Sequence, residues 1–190
     1  MRSLRATASL VPSSRFLTAA MLDPHDFSRI RTVAELGPGT GAVTCGILKR
    51  LAPDGRLFAL DTNEKFVDHL QRNCRDRRLI AVHAGAEELL PVLSRYGVEQ
   101  VDAVVSSLGL TSMEPRLRTA IVSQASGSLV PGGLMTQYQY FTSRAGYFDL
   151  ARFRLHRFQE RPFLRQYFRE ISTRRILLNF PPAVVFVCRK

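Results

Sequence analysis

Val33-Ala34-Glu35-Leu36-Gly37-Pro38-Gly39-Thr40-Gly41 is the stretch that decides how this chain folds. A short apolar run carries an acid and ends in three glycines at alternate positions. An amphipathic run from Gly41 to Leu51 follows, with Val43, Ile47, Leu48 and Leu51 at helical spacing. The order is strand, tight loop, helix. The glycines permit positive φ and let backbone approach a ligand closely, and a helix N-terminus adds unpaired N–H groups and partial positive charge. The spacing is G-x-G-x-G, not G-x-G-x-x-G, and no Gly-Lys-Ser/Thr follows, so neither the dinucleotide fingerprint nor a P-loop is matched. Glu35 lies two residues before Gly37. An acid there repels a pyrophosphate and suits a cationic or polar ligand group.

Downstream, strands and helices alternate. Arg56 to Leu60 reads as a second strand ending at Asp61, 24 positions after Gly37. An acid at the end of the second strand, about 20 residues on, is placed to grip a ribose diol with two hydrogen bonds. The competing role for Asp61 is N-cap of the helix that begins near Asn63-Glu64-Lys65-Phe66. Leu79 to Val82 is a third strand and Val101 to Ser106 a fourth, running into Ser107-Leu108-Gly109. Ligands of α/β sheets sit at the carboxyl ends of central strands, so that loop should face the reacting group. Glu114 to Ala125 reads as a helix with Pro115 in its first turn. The turn Leu129-Val130-Pro131-Gly132-Gly133 leads to a fifth strand, Leu134 to Phe141, carrying Gln137, Tyr138 and Tyr140. Arg174 to Leu178 and Ala183 to Cys188, around Asn179-Phe180-Pro181-Pro182, read as an antiparallel hairpin at the sheet edge.

The Glu-x-Gly-x-Gly-x-Gly motif with Asp61 resembles the class I S-adenosylmethionine (SAM)-dependent methyltransferases. That resemblance implies a Rossmann-like α/β sheet, mostly parallel with a C-terminal antiparallel hairpin and helices on both faces. It implies SAM as cofactor and S-adenosylhomocysteine as product. Glu35, Gly37, Pro38, Gly39, Thr40, Gly41 and Asp61 are the expected cofactor contacts. Members of this class often meet the adenine amine with an acid after the third strand. Ala84-Gly85-Ala86 occupies that place here, so Glu87, or backbone groups of Gly85 and Ala86, take over the contact.

A narrower resemblance spans nearly the whole chain. Pro12-Ser13-Ser14, Glu35 to Gly41, Ser106-Ser107-Leu108-Gly109-Leu110, Gly133 with Gln137-Tyr138-Gln139-Tyr140, and Asn179-Phe180-Pro181-Pro182-Ala183 occur in that order. Together they look like the bacterial phospholipid N-methyltransferases, including relatives acting on ornithine lipids, which are similar in turn to the rRNA adenine dimethyltransferases. The resemblance implies methyl transfer to the amine headgroup of phosphatidylethanolamine or an ornithine lipid. Carbonyls of Ser106, Ser107, Leu108 and Gly109 would hold the amine, with Tyr140 as a hydrogen-bond partner. The family's loop tends to read Ser-Gly-Leu-Pro; here Ser107 replaces the glycine and Gly109 the proline. The Asn-Leu-Pro-Tyr-like motif of the rRNA enzymes lacks its asparagine here. RNA adenine methylation and a SAM-binding module without activity are the competing functions.

Composition supplies the rest. At 190 residues the chain has the length of one domain; the resemblance implies a methyltransferase domain over 23–190, preceded by a basic amphipathic segment, 1–22. Cys45, Cys74 and Cys188 lack metal spacing and read as reduced packing residues. The four histidines are scattered, so no metal is expected. A net charge of +11 implies an acidic partner. For the first 22 residues, with Arg2, Arg5 and Arg15 and no acid, an interfacial helix competes with a cleaved presequence. Ser13 or Ser14 would cap a helix there. Tyr147, Phe148, Phe153, Phe158, Phe163, Tyr167 and Phe168 interleave with Arg152, Arg154, Arg157, Arg161 and Arg165. Tyr147, Leu150, Ala151, Leu155 and Phe158 predict one helical face ending near Pro162. That face either docks on the sheet or meets a membrane or nucleic acid. The expected partners are an anionic membrane surface and its lipid substrate, ahead of nucleic acid, with no obligate protein partner indicated. The expected location is cytoplasmic and peripheral to the membrane.

Overall fold

The computed structural model describes residues 14–141 and 159–190, and the backbone of 147–149 and 154–156. Its centre is a seven-stranded sheet: β1 (Thr32–Leu36), β2 (Arg56–Asp61), β3 (Leu79–His83), β4 (Val101–Ser106), β5 (Leu129–Tyr140), β8 (Glu170–Ile176) and β9 (Ala183–Arg189). The order is β3-β2-β1-β4-β5-β9-β8. The first five are parallel; β9 runs antiparallel between β5 and β8. This is the sheet that the alternating strand and helix signals predict. The glycine turn expected at residues 129–133 is instead an irregularity in β5: pairing to β4 jumps from Val101↔Leu129 to Ala103↔Leu134.

Helices cover both faces because alternate strand residues point oppositely. On one face α1 (Arg15–Leu22) and α2 (Ala42–Leu48) bury Leu17, Met21, Leu22, Val43 and Ile47 against Val33, Leu57, Val105 and Val185. On the other, α4 (Leu89–Arg95), α5 (Pro115–Ser128) and α6 (Glu160–Leu164) bury Leu89, Leu93, Val122 and Leu164 against Ala34, Phe58, Val104 and Phe186. The helix α3 (Glu64–Asn73) flanks β2 and β3. Ser14 is the cap of α1, its side chain accepting from Leu17 N–H. Leu17, Met21 and Leu22 are fully buried, so residues 15–22 are packed into the body of the domain. Residues 1–13 lie outside the described residues.

Three expectations need correction. Tyr147–Asp149 (β6) and Arg154–His156 (β7) form an antiparallel ladder, not one face of a helix. A short run of aromatic and aliphatic residues fits either period, and aromatics favour the strand. Pro162 does not end a helix; it sits in the first turn of α6, where a missing N–H costs little. Residues 150–153 and 157–158 lie outside the described residues. All three cysteines are free, and Cys45 is exposed, so only Cys74 and Cys188 pack. No helix among the described residues is long and apolar enough to cross a membrane.

Candidate active site

The β1–α2 loop has Gly37, Gly39 and Gly41 at φ of 72°, 54° and 87°. A Cβ at Gly37 would come 2.7 Å from Leu108, and one at Gly41 2.6 Å from Leu70 of α3. A Cβ at Gly39 would meet nothing within 4 Å, so the loop shows an open face there. Pro38 is buried and Thr40 exposed. The Asp61 carboxylate ties this loop to the end of β2: Oδ2 accepts from Gly39 N–H at 3.1 Å and Oδ1 from Asn63 N–H at 2.9 Å. Asn63, whose side chain accepts from Lys65 N–H, is the helix cap, so the capping role weighed for Asp61 falls to its neighbour. A carboxylate offers about four lone-pair sites, and two remain for a ligand.

Behind the loop, Glu35 is completely buried, and neither carboxylate oxygen has a hydrogen-bond partner. Desolvation pushes its pKa up to about 8; the Thr44 hydroxyl and N–H, which approach the carboxylate short of ordinary hydrogen-bond geometry, oppose this, and the nearby Asp61 charge adds to it. The Thr44 hydroxyl itself closes no hydrogen bond of ordinary geometry. A buried acid without a partner is costly. Its site is suited to a ligand group that brings hydrogen-bond donors or positive charge.

The third group gathers where β4 ends. Ser106 pairs across β5 with Gln137. Both are fully buried, and Ser106 Oγ, Ser107 Oγ and Gln137 Oε1 all lack partners. Gln137 Nε2 donates to the carbonyls of Leu108 at 2.8 Å and Tyr138 at 2.7 Å. Two acceptors on one side identify that side as the amide NH2 and fix Oε1 opposite. The Leu108 carbonyl also accepts from Leu110 N–H, and that of Gly109 accepts twice from Ser112, through N–H and Oγ. Each of these two carbonyls therefore has both lone pairs engaged, which corrects the expectation that all four loop carbonyls are free for an amine. Outside the strand ladders the carbonyl of Ser107 accepts nothing from the described residues. Sequence reasoning did not single out Gln137 as a site residue. The available signal was an amide on the strand position that pairs with the end of β4.

Gly85 and Ala86 follow β3 in a 3-10 turn, Ala86–Glu88, closed by Gly85 N–H donating to Glu88 Oε1 at 3.2 Å. The Glu87 carboxylate folds back against the Gly85 α-carbon, into the space a Cβ would need. Tyr140 ends β5 on the face opposite Gln137, its ring 5.1 Å from that of Tyr138 in an edge-on contact. Among the described residues no His, Cys, Asp or Glu cluster could hold a metal.

The glycine loop, the ribose-type acid and the unpartnered Glu35 lie together at the carboxyl edge of the sheet. A family model described as "Methyltransferase domain" matches residues 33–133, more than half of the chain. The chain belongs to the class I SAM-dependent methyltransferases. It is 30% identical over 185 residues to the ornithine lipid N-methyltransferase of Singulisphaera acidiphila, covering 97% of this chain and 88% of that one. It is 31% identical to the ribosomal RNA small subunit methyltransferase H of Vesicomyosocius okutanii, over 43% of this chain and 26% of that one. In structure it is similar to the 1,6-didemethyltoxoflavin-N1-methyltransferase of Burkholderia thailandensis with bound S-adenosylhomocysteine (TM-score 0.64, 22% identity, 91% of this chain and 76% of that one). SAM is the methyltransferase's cofactor, and the unpartnered Glu35 carboxyl and the open face at Gly39 fit it.

Proposed function

We propose that this methyltransferase methylates the amine headgroup of a membrane lipid, an ornithine lipid or phosphatidylethanolamine. Gly37, Gly39 and Gly41 would line the amino-acid part and ribose of SAM, with Pro38 and Thr40 shaping the loop. Asp61 would hold the ribose hydroxyls, and Gly85, Ala86 and Glu87 the adenine. Glu35 would ionise as it meets the cationic end of the cofactor. SAM brings a methyl group already activated on a sulfonium, so what the protein must supply is in-line placement and exclusion of water.

An attacking amine must be neutral and must present its lone pair to the methyl group. Its N–H bonds then need acceptors. At the ends of β4 and β5, Gln137 Oε1 and the hydroxyls of Ser106 and Ser107 are open acceptors, beside the open donor Gln139 Nε2, and the Ser107 carbonyl is a further acceptor. This acceptor-rich edge is the observation that carries the reading, and the near full-length similarity to an ornithine lipid enzyme supports it. Tyr140 at the end of β5 would guide the headgroup. The net charge of +11 suits an anionic membrane surface, where each basic residue contributes about 1 kcal/mol.

The test is methyl transfer from radiolabelled SAM to mixed liposomes holding ornithine lipid or phosphatidylethanolamine, with and without an anionic lipid. Label in the lipid phase, increased by the anionic lipid, is the expected result. Label appearing only in added ribosomal RNA would overturn it in favour of the nucleic-acid substrate. SAM binding with no transfer to either would leave a binding module.

A further inference from the structure

The β8–β9 hairpin turn carries an unusual set of side chains. Leu177, Leu178 and Phe180 are 70%, 76% and 91% exposed, the three most exposed large apolar side chains described in the molecule. A turn at an open sheet edge is expected to be polar. Exposed apolar residues grouped in this way mark contact surfaces.

The turn is held, not loose. Asn179, between the exposed pair Leu178 and Phe180, is 5% exposed. Its Nδ2 donates to the Pro181 carbonyl at 2.6 Å, and its Oδ1 accepts from Ser14 Oγ at 2.5 Å. That inward anchor turns its neighbours outward. It also ties the turn to the start of α1, where Phe16 is half-exposed and Arg15 lies 4.8 Å over its ring. Arg174 and Arg175 stand at the end of β8. Among the described residues Arg15, Arg174 and Arg175 form no ion pair.

Register fixes where the tip sits. Tyr140 at the end of β5 pairs with Ala183 at the start of β9, which pairs with Ile176 at the end of β8. The turn therefore leaves the sheet at its carboxyl edge, the edge that carries the glycine loop, Ser107 and Tyr140.

We infer that the Leu177–Phe180 turn, with Phe16 beside it, inserts among the acyl chains of an anionic bilayer, while Arg15, Arg174 and Arg175 meet its phosphates. The inference rests on the lipid-substrate reading for its purpose. Insertion at this edge brings the mouth of the active site to the headgroups, so a lipid amine can enter without leaving the membrane. Apolar tip and basic collar are complementary to the two layers of a bilayer leaflet, which no folded protein surface of uniform polarity would match.

The chain has no tryptophan, so Phe180→Trp gives a single fluorescent reporter. With phosphatidylglycerol/phosphatidylcholine vesicles, which hold no amine acceptor of the proposed type, its emission should shift to the blue and be quenched by brominated acyl chains. Tyr96→Trp, at the end of α4 on the opposite edge, should not respond. The double change Leu178→Ser/Phe180→Ser should weaken vesicle partition on the order of 30-fold or more. Arg174→Gln and Arg175→Gln should each weaken it about fivefold at low salt. All variants should keep SAM binding, which reports the fold. A protein that floats with vesicles while the Phe180→Trp emission stays unchanged overturns the inference. So does a concentration-dependent dimer that the double serine change abolishes, which would make the tip a contact between copies. If the tip responds but no lipid is methylated, the substrate reading fails and the insertion stands. If lipid is methylated and the serine variant floats like wild type, the reverse holds.

Discussion

The two edges of the parallel sheet treat their polar groups in opposite ways. At the amino edge they are paired. Asp102 Oδ2 accepts from both Arg31 N–H and Thr32 N–H at 2.8 Å. The Arg78 guanidinium donates to the carbonyls of Leu48, Leu51 and Ala52 and to Asp76. At the carboxyl edge Glu35, Thr44, Ser106, Ser107 and Gln137 keep buried atoms without partners. Buried polar groups are normally satisfied, and each exception needs a reason. Among the described residues away from the glycine loop, His25 also keeps an unpaired atom: Nε2 meets Thr136 Oγ1 at 3.1 Å, Nδ1 is unpaired, and burial lowers its pKa to about 4, which keeps it neutral. The carboxyl edge instead holds a cluster of exceptions around one loop. The contrast locates the chemistry: one edge is finished by the protein itself, and the other is completed by what it binds.

The largest effect that sharpens this contrast is at Asp61. On the proposed reading, Asp61→Ala would remove the charged acceptor of two hydrogen bonds donated by the ribose hydroxyls, each worth about 1.5–3 kcal/mol. SAM affinity should fall about 100-fold or more, read by calorimetry. Unchanged affinity would remove Asp61 from the cofactor site. Glu35→Gln is next, and its sign is set by proton linkage. The folded carboxyl holds its proton up to about 8, whereas the unfolded one releases it near 4.5. Between those values the folded state binds more protons, so stability declines as pH rises, by at most about 1.4 kcal/mol per unit. Glutamine imitates the neutral acid, so the variant without SAM should gain in Tm on the wild type from pH 5 to pH 8. Parallel Tm curves would show that Glu35 is not held neutral.

Much of the sheet is legible in the sequence because it rests on local rules. Val33 to Gly41 announces strand, loop and helix by itself, and Asp61 follows at the distance a second strand imposes. The hairpin around Asn179 is readable from its prolines and flanking apolar runs. The segment from Tyr147 to His156 is not, since its residue pattern fits a helix face as well as a short ladder, and no Gly, Pro or Asn between the two paired runs signals a turn. The site divides the same way. Glu35, the three glycines and Asp61 belong to a motif. Gln137 belongs only to the looser Gln-Tyr-Gln-Tyr run, which says nothing of its role; its importance arises because Ser106 lies beside it on the neighbouring strand and the Leu108 carbonyl comes within reach. Exposure of Phe180 was equally hidden, since it follows from Asn179 being anchored to Ser14, 165 residues away in the chain.

Gln137→Met tests the acceptor side of the carboxyl edge. The substitution nearly preserves volume but removes the clasp on Leu108 and the unpartnered Oε1. Turnover should drop about 10- to 100-fold, the size of one or two buried hydrogen bonds, while SAM affinity changes little. An equal loss in both would make Gln137 a support for the glycine loop through Leu108 and Gly37.

The smallest effect belongs to the amino edge and carries the most weight for the contrast. Asp102→Ala strips two backbone N–H groups of their acceptor at the start of β1. Asp102 is half-buried and Arg31 exposed, so water replaces part of what is lost. The cost should be about 1 kcal/mol, a fall in Tm of about 2–4 °C for a domain of this size. SAM affinity and turnover below the transition should not move, because the pairing Leu36↔Ser106 that sets the far edge is held by its own ladder bonds. A loss of turnover without a loss of stability would mean that strain at one end of β1 reaches Glu35 three residues along. The two edges would then be one mechanical unit rather than a finished base and an open site.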